Sequence, residues 1–385
     1  MIAEGQIADV GRLVRDEART VKDRRRRPRP MTSPLDLTRL GEAKQSFATR
    51  RAMLAETRGL LVAGVRPAAG DLVLARVEQV GHHARLELPD GRRSRLYEGD
   101  EIVVAYGARY APDQFEAEVP SNLGPCDLIA GGGLAGRVLK RHRQVGAPTR
   151  IAPCGLLADS EGRPLNLARW AVSTPAPGGR PTVIVVAGTS MNAGKTTTAA
   201  CLIRGLKRAG LRVGAAKVTG TGSGGDLWAM VDAGARPAMD FTDLGHASTF
   251  KVPEAELVRV ATALLDHLAA AEVDAAVIEI ADGLFQAETA ALLSAPAFTE
   301  RVDAVLFAAG EAAGAAHGVD WLRRRGLPVV GVTGLLSASP LAAREAVAAT
   351  GAAVLTSQEL SDPEVAPGLV LRPRAEPIGV AALTA

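Results

Sequence analysis

The sequence predicts an α/β protein whose rear half is a doubly wound parallel sheet preceded by a small, mainly-β, barrel-like domain. Three observations predict it. Apolar runs of five to eight residues alternate with amphipathic stretches beyond residue 181, the pattern of a parallel sheet covered on both faces. Before residue 175, short β-branched and alternating runs are broken by turn residues such as Pro89-Asp90-Gly91 and Glu98-Gly99-Asp100, which suits a small barrel or sandwich. Between them lies STPAPGGRP, residues 173–181, with a linker's composition.

The organisation expected is a basic arm over residues 1–34, a helix plus β-barrel-like domain over 35–175, and the doubly wound domain over 181–385. Within residues 1–30, nine Lys/Arg outnumber five Asp/Glu, a balance expected of a solvated tail with a weak general attraction for polyanions. Residues 35–60 are rich in helix formers and lack proline after Pro34, which predicts a helix there. In the rear half, VIVVAG, LRVGAAKV, AAVIEIA, AVLFAAG, PVVGV and AVLTS read as strands. From Pro253, Leu257, Val260, Leu264, Leu265 and Leu268 recur at helical spacing as one buried stripe.

With 47% hydrophobic and 23% charged residues among 385, the chain can build sizeable cores. No apolar run approaches the ~18 residues that cross a bilayer, and no apolar signal core opens the chain, so a cytoplasmic protein with no membrane partner is expected. Cys126, Cys154 and Cys201 lie far apart with no CxxC pair, excluding a zinc ribbon or disulfide framework as an organising feature. Aromatic residues are 3% of the chain. Tyr97, Tyr106 and Tyr110 with Arg92, Arg93, Arg95 and Arg109 therefore read as barrel packing and surface, and nucleic acid is not an expected partner.

The strongest chemical signal is VIVVAGTSMNAGKTTT, residues 183–198: a buried strand, a loop opening at Gly188, then Gly194-Lys195-Thr196 at a helix start. Such a turn aims successive amides at one point, and a helix N-terminus favours an anion there. Gly188, Thr189, Asn192, Ala193, Gly194, Lys195, Thr196 and Thr197 are thus the expected nucleotide-binding residues. Lys195 would serve the β- and γ-phosphates and the Thr196 hydroxyl would bind Mg²⁺. Five residues separate Gly188 from Gly194, where the standard P-loop has four, and threonine follows the first glycine.

Gly188-Thr189 followed by Gly194-Lys195-Thr196 resembles the phosphate loop of dethiobiotin synthetase and its P-loop relatives, among them the molybdopterin-guanine dinucleotide accessory proteins and a family containing D-glutamate N-acetyltransferase. The resemblance covers residues 180 to 360 or so. It implies a P-loop doubly wound parallel sheet, a nucleotide across its carboxyl edge, ATP and Mg²⁺ as cofactors and, commonly, a homodimer. It further implies a catalytic role for Lys217 on phosphate and substrate, and metal-binding roles for Asp226 and Glu279. Val218 stands where the family has proline and Ile280 where it has glycine. Asp282 competes with Glu279, since a regular strand would send residues three apart to opposite faces.

The glycine-rich TGTGSGG, residues 219–225, reads as a mobile loop over phosphate or substrate. Asp240, Asp243 and His246 are spaced to share a helical face and, with Asp282, are the expected substrate residues. PVVGVTGLLSASP is the segment expected beside the base, and no Asn-Lys-x-Asp guanine signature is present. The function expected is transfer of a γ-phosphoryl group from Mg-ATP to a small acid. The alternatives are a nucleotide-driven switch or accessory ATPase acting on a macromolecule, and an acyltransferase whose loop cradles coenzyme A.

Overall fold

A computed structural model describes residues 31–176 and 178–370. The basic arm therefore lies, apart from residues 31–34, outside the described residues, as do residues 371–385.

The rear half is a six-stranded, wholly parallel sheet. Across it run Ala238–Asp240, Val213–Lys217, Ala275–Glu279, Thr182–Gly188, Ala304–Ala308 and Val329–Thr333. Alternation along the central strand explains the double winding. Val183, Val185 and Ala187 face one apolar cluster with Leu257, Leu264, Leu268 and Phe307, while Ile184 and Val186 face another with Leu202, Ile203 and Leu206. The stripe from Pro253 is the buried face of the helix Glu254–Ala270. AVLTS is not a strand; only a Val332–Val354 bridge forms there. The edge strand Ala238–Asp240 was not expected, because three residues after Pro237 leave no readable alternation.

In the front half, five strands close into a barrel. Thr149–Ala158 pairs with Leu72–Gln79, and that strand with Glu101–Tyr106. Glu101–Tyr106 runs parallel to Leu134–Arg141, which pairs with Cys126–Ala130, and this last strand returns to Thr149–Ala158. Val73, Ala75, Val77, Val104 and Tyr106 point inward; Leu72, Leu74, Val103 and Ala105 point outward into a second cluster that includes Ala247 of the rear half. Tyr106 is barrel core, as its apolar neighbours on a strand require.

The helix expected over 35–60 is broken. Only Leu37–Glu42 is α-helical, followed by the short strand Lys44–Gln45 and 3₁₀ turns at Phe47–Thr49 and Leu54–Glu56. Ser46, Phe47, Ala48 and Thr49 are buried in succession, which an amphipathic helix with one wet face cannot achieve. Their backbone instead bonds outward: the Ser46 amide donates to Val103 O and the Ala48 amide to Gly132 O.

At the turn containing Gly132 the two halves are in close contact. A Cβ at Gly132 would lie 2.0 Å from Gly222 O, so two glycine runs distant in sequence pack main chain against main chain. Gly132→Ala should cost about 1–3 kcal/mol, because the obstacle is backbone and cannot rotate away. A urea-unfolding midpoint unchanged from the parent would contradict this.

Candidate functional site

The loop after Thr182–Gly188 is shaped by its glycines. A Cβ at Gly188 would meet Ala308 O at 2.8 Å, and Gly194 adopts φ 103° immediately before the helix Lys195–Arg208. Asn192, at φ 60°, makes the second left-handed turn, a conformation asparagine tolerates better than most residues. Its side-chain amide donates to Asp113 Oδ2 at 2.8 Å, so the front half steadies the loop. Thr189 and Ala193 serve the frame: the Thr189 amide donates to Ala308 O, and Ala193 O accepts from the Leu335 amide.

Asn192, Gly194, Lys195, Thr196 and Thr197 line a cleft of about 460 Å³ together with Lys217, Asp226, Glu279 and Asp282. The parallel register sets Lys217 beside Glu279 on neighbouring strands. The strand ends at Glu279, and Asp282 follows in a left-handed turn at φ 64°. Both carboxylates therefore reach the cleft, and the alternation that would have separated them does not apply. A phosphate loop on the carboxyl edge, between strands whose chain connections depart in opposite directions, decides the architecture. This is a doubly wound parallel sheet with a P-loop after its central strand.

No protein-family model matches the chain, and no curated protein matches it. Among solved structures, it is similar to the signal recognition particle 54 kDa protein from Aeropyrum pernix in complex with GDP, at 19% identity over 50% of this chain and 47% of that one, TM-score 0.35. Cell division protein FtsY from Thermotoga maritima shares 18% over 54% of this chain and 75% of that one, TM-score 0.34. The kinase domain of the Escherichia coli tyrosine kinase ETK shares 15% over 40% and 66%, TM-score 0.29. The chain thus spans about half the length of the first of these. Likeness of this degree concerns fold alone.

The P-loop cleft is electrostatically dense. Lys195 donates to Ser190 O at 2.6 Å, and its burial pulls the ammonium below the ordinary lysine value against the attraction of Glu279 and Asp282. Burial also works against charge on Lys217, yet Asp226, in direct ion pair with it, and Glu279 outweigh burial and hold the ammonium above its usual value. Asp226 is correspondingly held low despite burial, chiefly by Lys217. Burial, with Asp226's charge adding to it, pushes Glu279 up to about 7.

The Thr196 hydroxyl lies 2.9 Å from both Asp226 Oδ1 and Glu279 Oε1. It has one proton to donate, so it cannot satisfy both. Glu279 Oε2 is buried with no hydrogen-bond partner. An orphaned carboxylate oxygen beside a hydroxyl and a second carboxylate is a hard-oxygen set fit for Mg²⁺, which takes one or two carboxylates and completes its shell with phosphate and water. Among the described residues no group of three or more His, Cys, Asp or Glu forms an all-protein metal cage.

Asp240, Asp243 and His246 do not line the P-loop cleft. Asp240 caps the 3₁₀ turn Phe241–Leu244 in a capping box with Asp243, and Arg50 of the front domain reaches Asp243 Oδ1 at 2.8 Å and Asp240 Oδ1 at 3.2 Å. His246 bonds Glu256 at 2.8 Å. Three-residue spacing brought the two aspartates together for a structural purpose, in a turn closed at Gly245 that leaves His246 outside it. Arg50→Ala should destabilise the fold by about 2–4 kcal/mol, because buried Asp240 loses its ion pair and Asp243 keeps only Arg51, at 3.5 Å. Arg50→Lys should recover only part of this, lacking the planar fork; chemical denaturation of the three proteins tests both statements.

The glycine-rich loop is also pinned. The Gly222 amide donates to Ala247 O, the Gly220 amide to Thr249 Oγ1, and Glu87 of the barrel accepts from Ser223 Oγ at 2.9 Å and the Gly224 amide at 2.7 Å. Glu87 thereby caps the helix Gly224–Ala233 that carries Asp226 in its first turn. Thr333 and Ser337, in the segment expected beside the base, make internal contacts to Thr198 and Gly334. Leu335 alone of that loop lines the cleft.

Sequence reasoning did not place Arg109 and Tyr110 in the site. Both line the P-loop cleft from the short strand Arg109–Tyr110. Only the docking of the barrel brings them there, and no local pattern announces it.

Proposed function

We propose that the chain is a Mg-ATP-dependent enzyme of ligase or kinase type that transfers the γ-phosphoryl group to a small carboxylic-acid-type substrate. The observation that carries this reading is the Thr196–Asp226–Glu279 oxygen set, with its unpartnered Glu279 oxygen, standing in one cleft with Lys195 and Lys217. Mg-ATP, when bound, supplies the transferable phosphoryl group. The chain's task is positioning and charge stabilisation, which is most of what phosphoryl transfer asks of a protein.

In this reading the amides from Asn192 to Thr196 and the Lys195 ammonium hold phosphate oxygens, and Thr196, Asp226 and Glu279 hold Mg²⁺. Lys217, released from Asp226 once the carboxylate turns to a cation, is free to face the transferring group. Asp282 stands at the acceptor end of the cleft. The resemblance to dethiobiotin synthetase and its relatives supports the same roles for Lys217, Asp226 and Glu279. Two carboxylates at Thr196 favour a metal-nucleotide over the metal-free pyrophosphate of coenzyme A. A loop pinned at Gly220, Gly222, Ser223 and Gly224 favours an enzyme over a switch that needs that loop to move.

Calorimetric titration with Mg-ATP, Mg-GTP and acetyl-coenzyme A tests the proposal. Saturable heat with Mg-ATP and magnesium-dependent ADP release are expected. Binding of acetyl-coenzyme A with no response to either nucleotide would replace the reading by the acyltransferase one.

A further inference from the structure

A second cavity, of about 480 Å³, lies between the barrel and the P-loop domain and joins the first through Arg109, Thr221 and Ser223, which line both. Its walls carry Arg85, Arg93 and Arg109 against a single carboxylate, Glu87. That carboxylate is already engaged, by Ser223, by the Gly224 amide and by Arg93 at 3.1 Å. Positive charge is therefore in excess.

Arg109 is the decisive residue. It is 7% exposed, and its hydrogen-bond partners are neutral: Ile129 O, His83 Nε2 at 3.0 Å and Gln114 Oε1 at 2.8 Å. Its Nε–H is buried with no partner at all. A buried guanidinium without a carboxylate in contact is a costly arrangement unless something anionic arrives. Burial lowers Arg109 to about 10 against the attraction of Asp113 and Asp282, neither of which bonds it, so the charge persists at pH 7. Burial likewise takes His83 down to about 3, so it stays neutral and can accept from Arg109.

We infer that this cavity binds a small polycarboxylate, held by the guanidinium groups of Arg85, Arg93 and Arg109. Planar carboxylates match guanidinium forks, and the volume suits a metabolite-sized ligand. The binding stands on the cavity alone; that the ligand is the phosphoryl acceptor rests on the function proposed above, since Ser223 and Arg109 carry the cavity to the phosphate loop.

The test is calorimetric titration of the whole chain with citrate as probe, at low ionic strength so that screening does not mask the interaction. One saturable site is expected, weakened about tenfold or more in Arg85→Gln/Arg93→Gln and kept within about twofold in Lys195→Ala. If the double variant loses its cooperative melting, Arg85→Gln alone should still weaken citrate severalfold. The absence of citrate heat, or an affinity lost in Lys195→Ala but kept in the arginine variants, would overturn the inference; the latter result would put the anion on the phosphate loop. A parallel Mg-ATP titration separates the two proposals: nucleotide heat without citrate heat removes this site and spares the nucleotide reading, and the converse does the opposite.

Discussion

Lys195→Ala is expected to lower nucleotide turnover by about 10³-fold or more, because it removes the one cation on the loop that can follow the phosphate tail. The ammonium is buried, lies 2.6 Å from Ser190 O and has its charge opposed by desolvation, so no neighbour substitutes for it. Lys217, at the end of the strand Val213–Lys217, approaches the cleft from outside this loop and has a different task in the proposed reaction. The helix Lys195–Arg208 keeps its N-terminal turn without the side chain, so melting should change little while steady-state ADP release collapses. A variant that consumes ATP at the parent rate would remove Lys195 from the chemistry.

The second large effect concerns Glu279 and pH. A carboxyl raised to about 7 by burial and by Asp226 is partly protonated near neutrality. In the metal site proposed above Mg²⁺ would need the carboxylate, so proton and cation would compete. Above pH 7 the group is ionised and magnesium affinity levels off. Below it, apparent affinity should fall about tenfold per pH unit, because the bound cation holds the carboxylate ionised while the free group takes up a proton. Glu279→Gln should lower turnover by about 100-fold or more and abolish this slope, since no proton remains to be displaced. Magnesium titrations of ATP turnover at pH 6, 7 and 8 read the slope directly; a parent enzyme with the same magnesium requirement at all three values would take Glu279 out of the metal site.

The parts of the fold legible in sequence were those whose cause is local. Five of the rear strands and the stripe Leu257–Leu268 announce themselves by periodicity, and Gly188 with Gly194-Lys195-Thr196 by steric and electrostatic need. The illegible parts share a non-local cause. Residues 46–49 have helix-compatible composition but are buried from every side, so their backbone bonds go to Val103 and Gly132. Asp240 and Asp243 look like chemistry until Arg50, some 190 residues earlier, is seen between them. Arg109 carries no local mark of its position, and its place beside the phosphate loop exists only once two cores have packed.

The contact between Gly132 and Gly222, together with Glu87's grip on the helix that presents Asp226, makes the two halves poor candidates for separation. The Pro/Gly run at 173–181 invites an engineer to cut there and express the rear half alone. Such a fragment would carry every residue of the phosphate loop and yet lose the scaffold that holds Asp226 in place and walls off the cleft. If the function proposed above holds, the smallest active unit is both halves together.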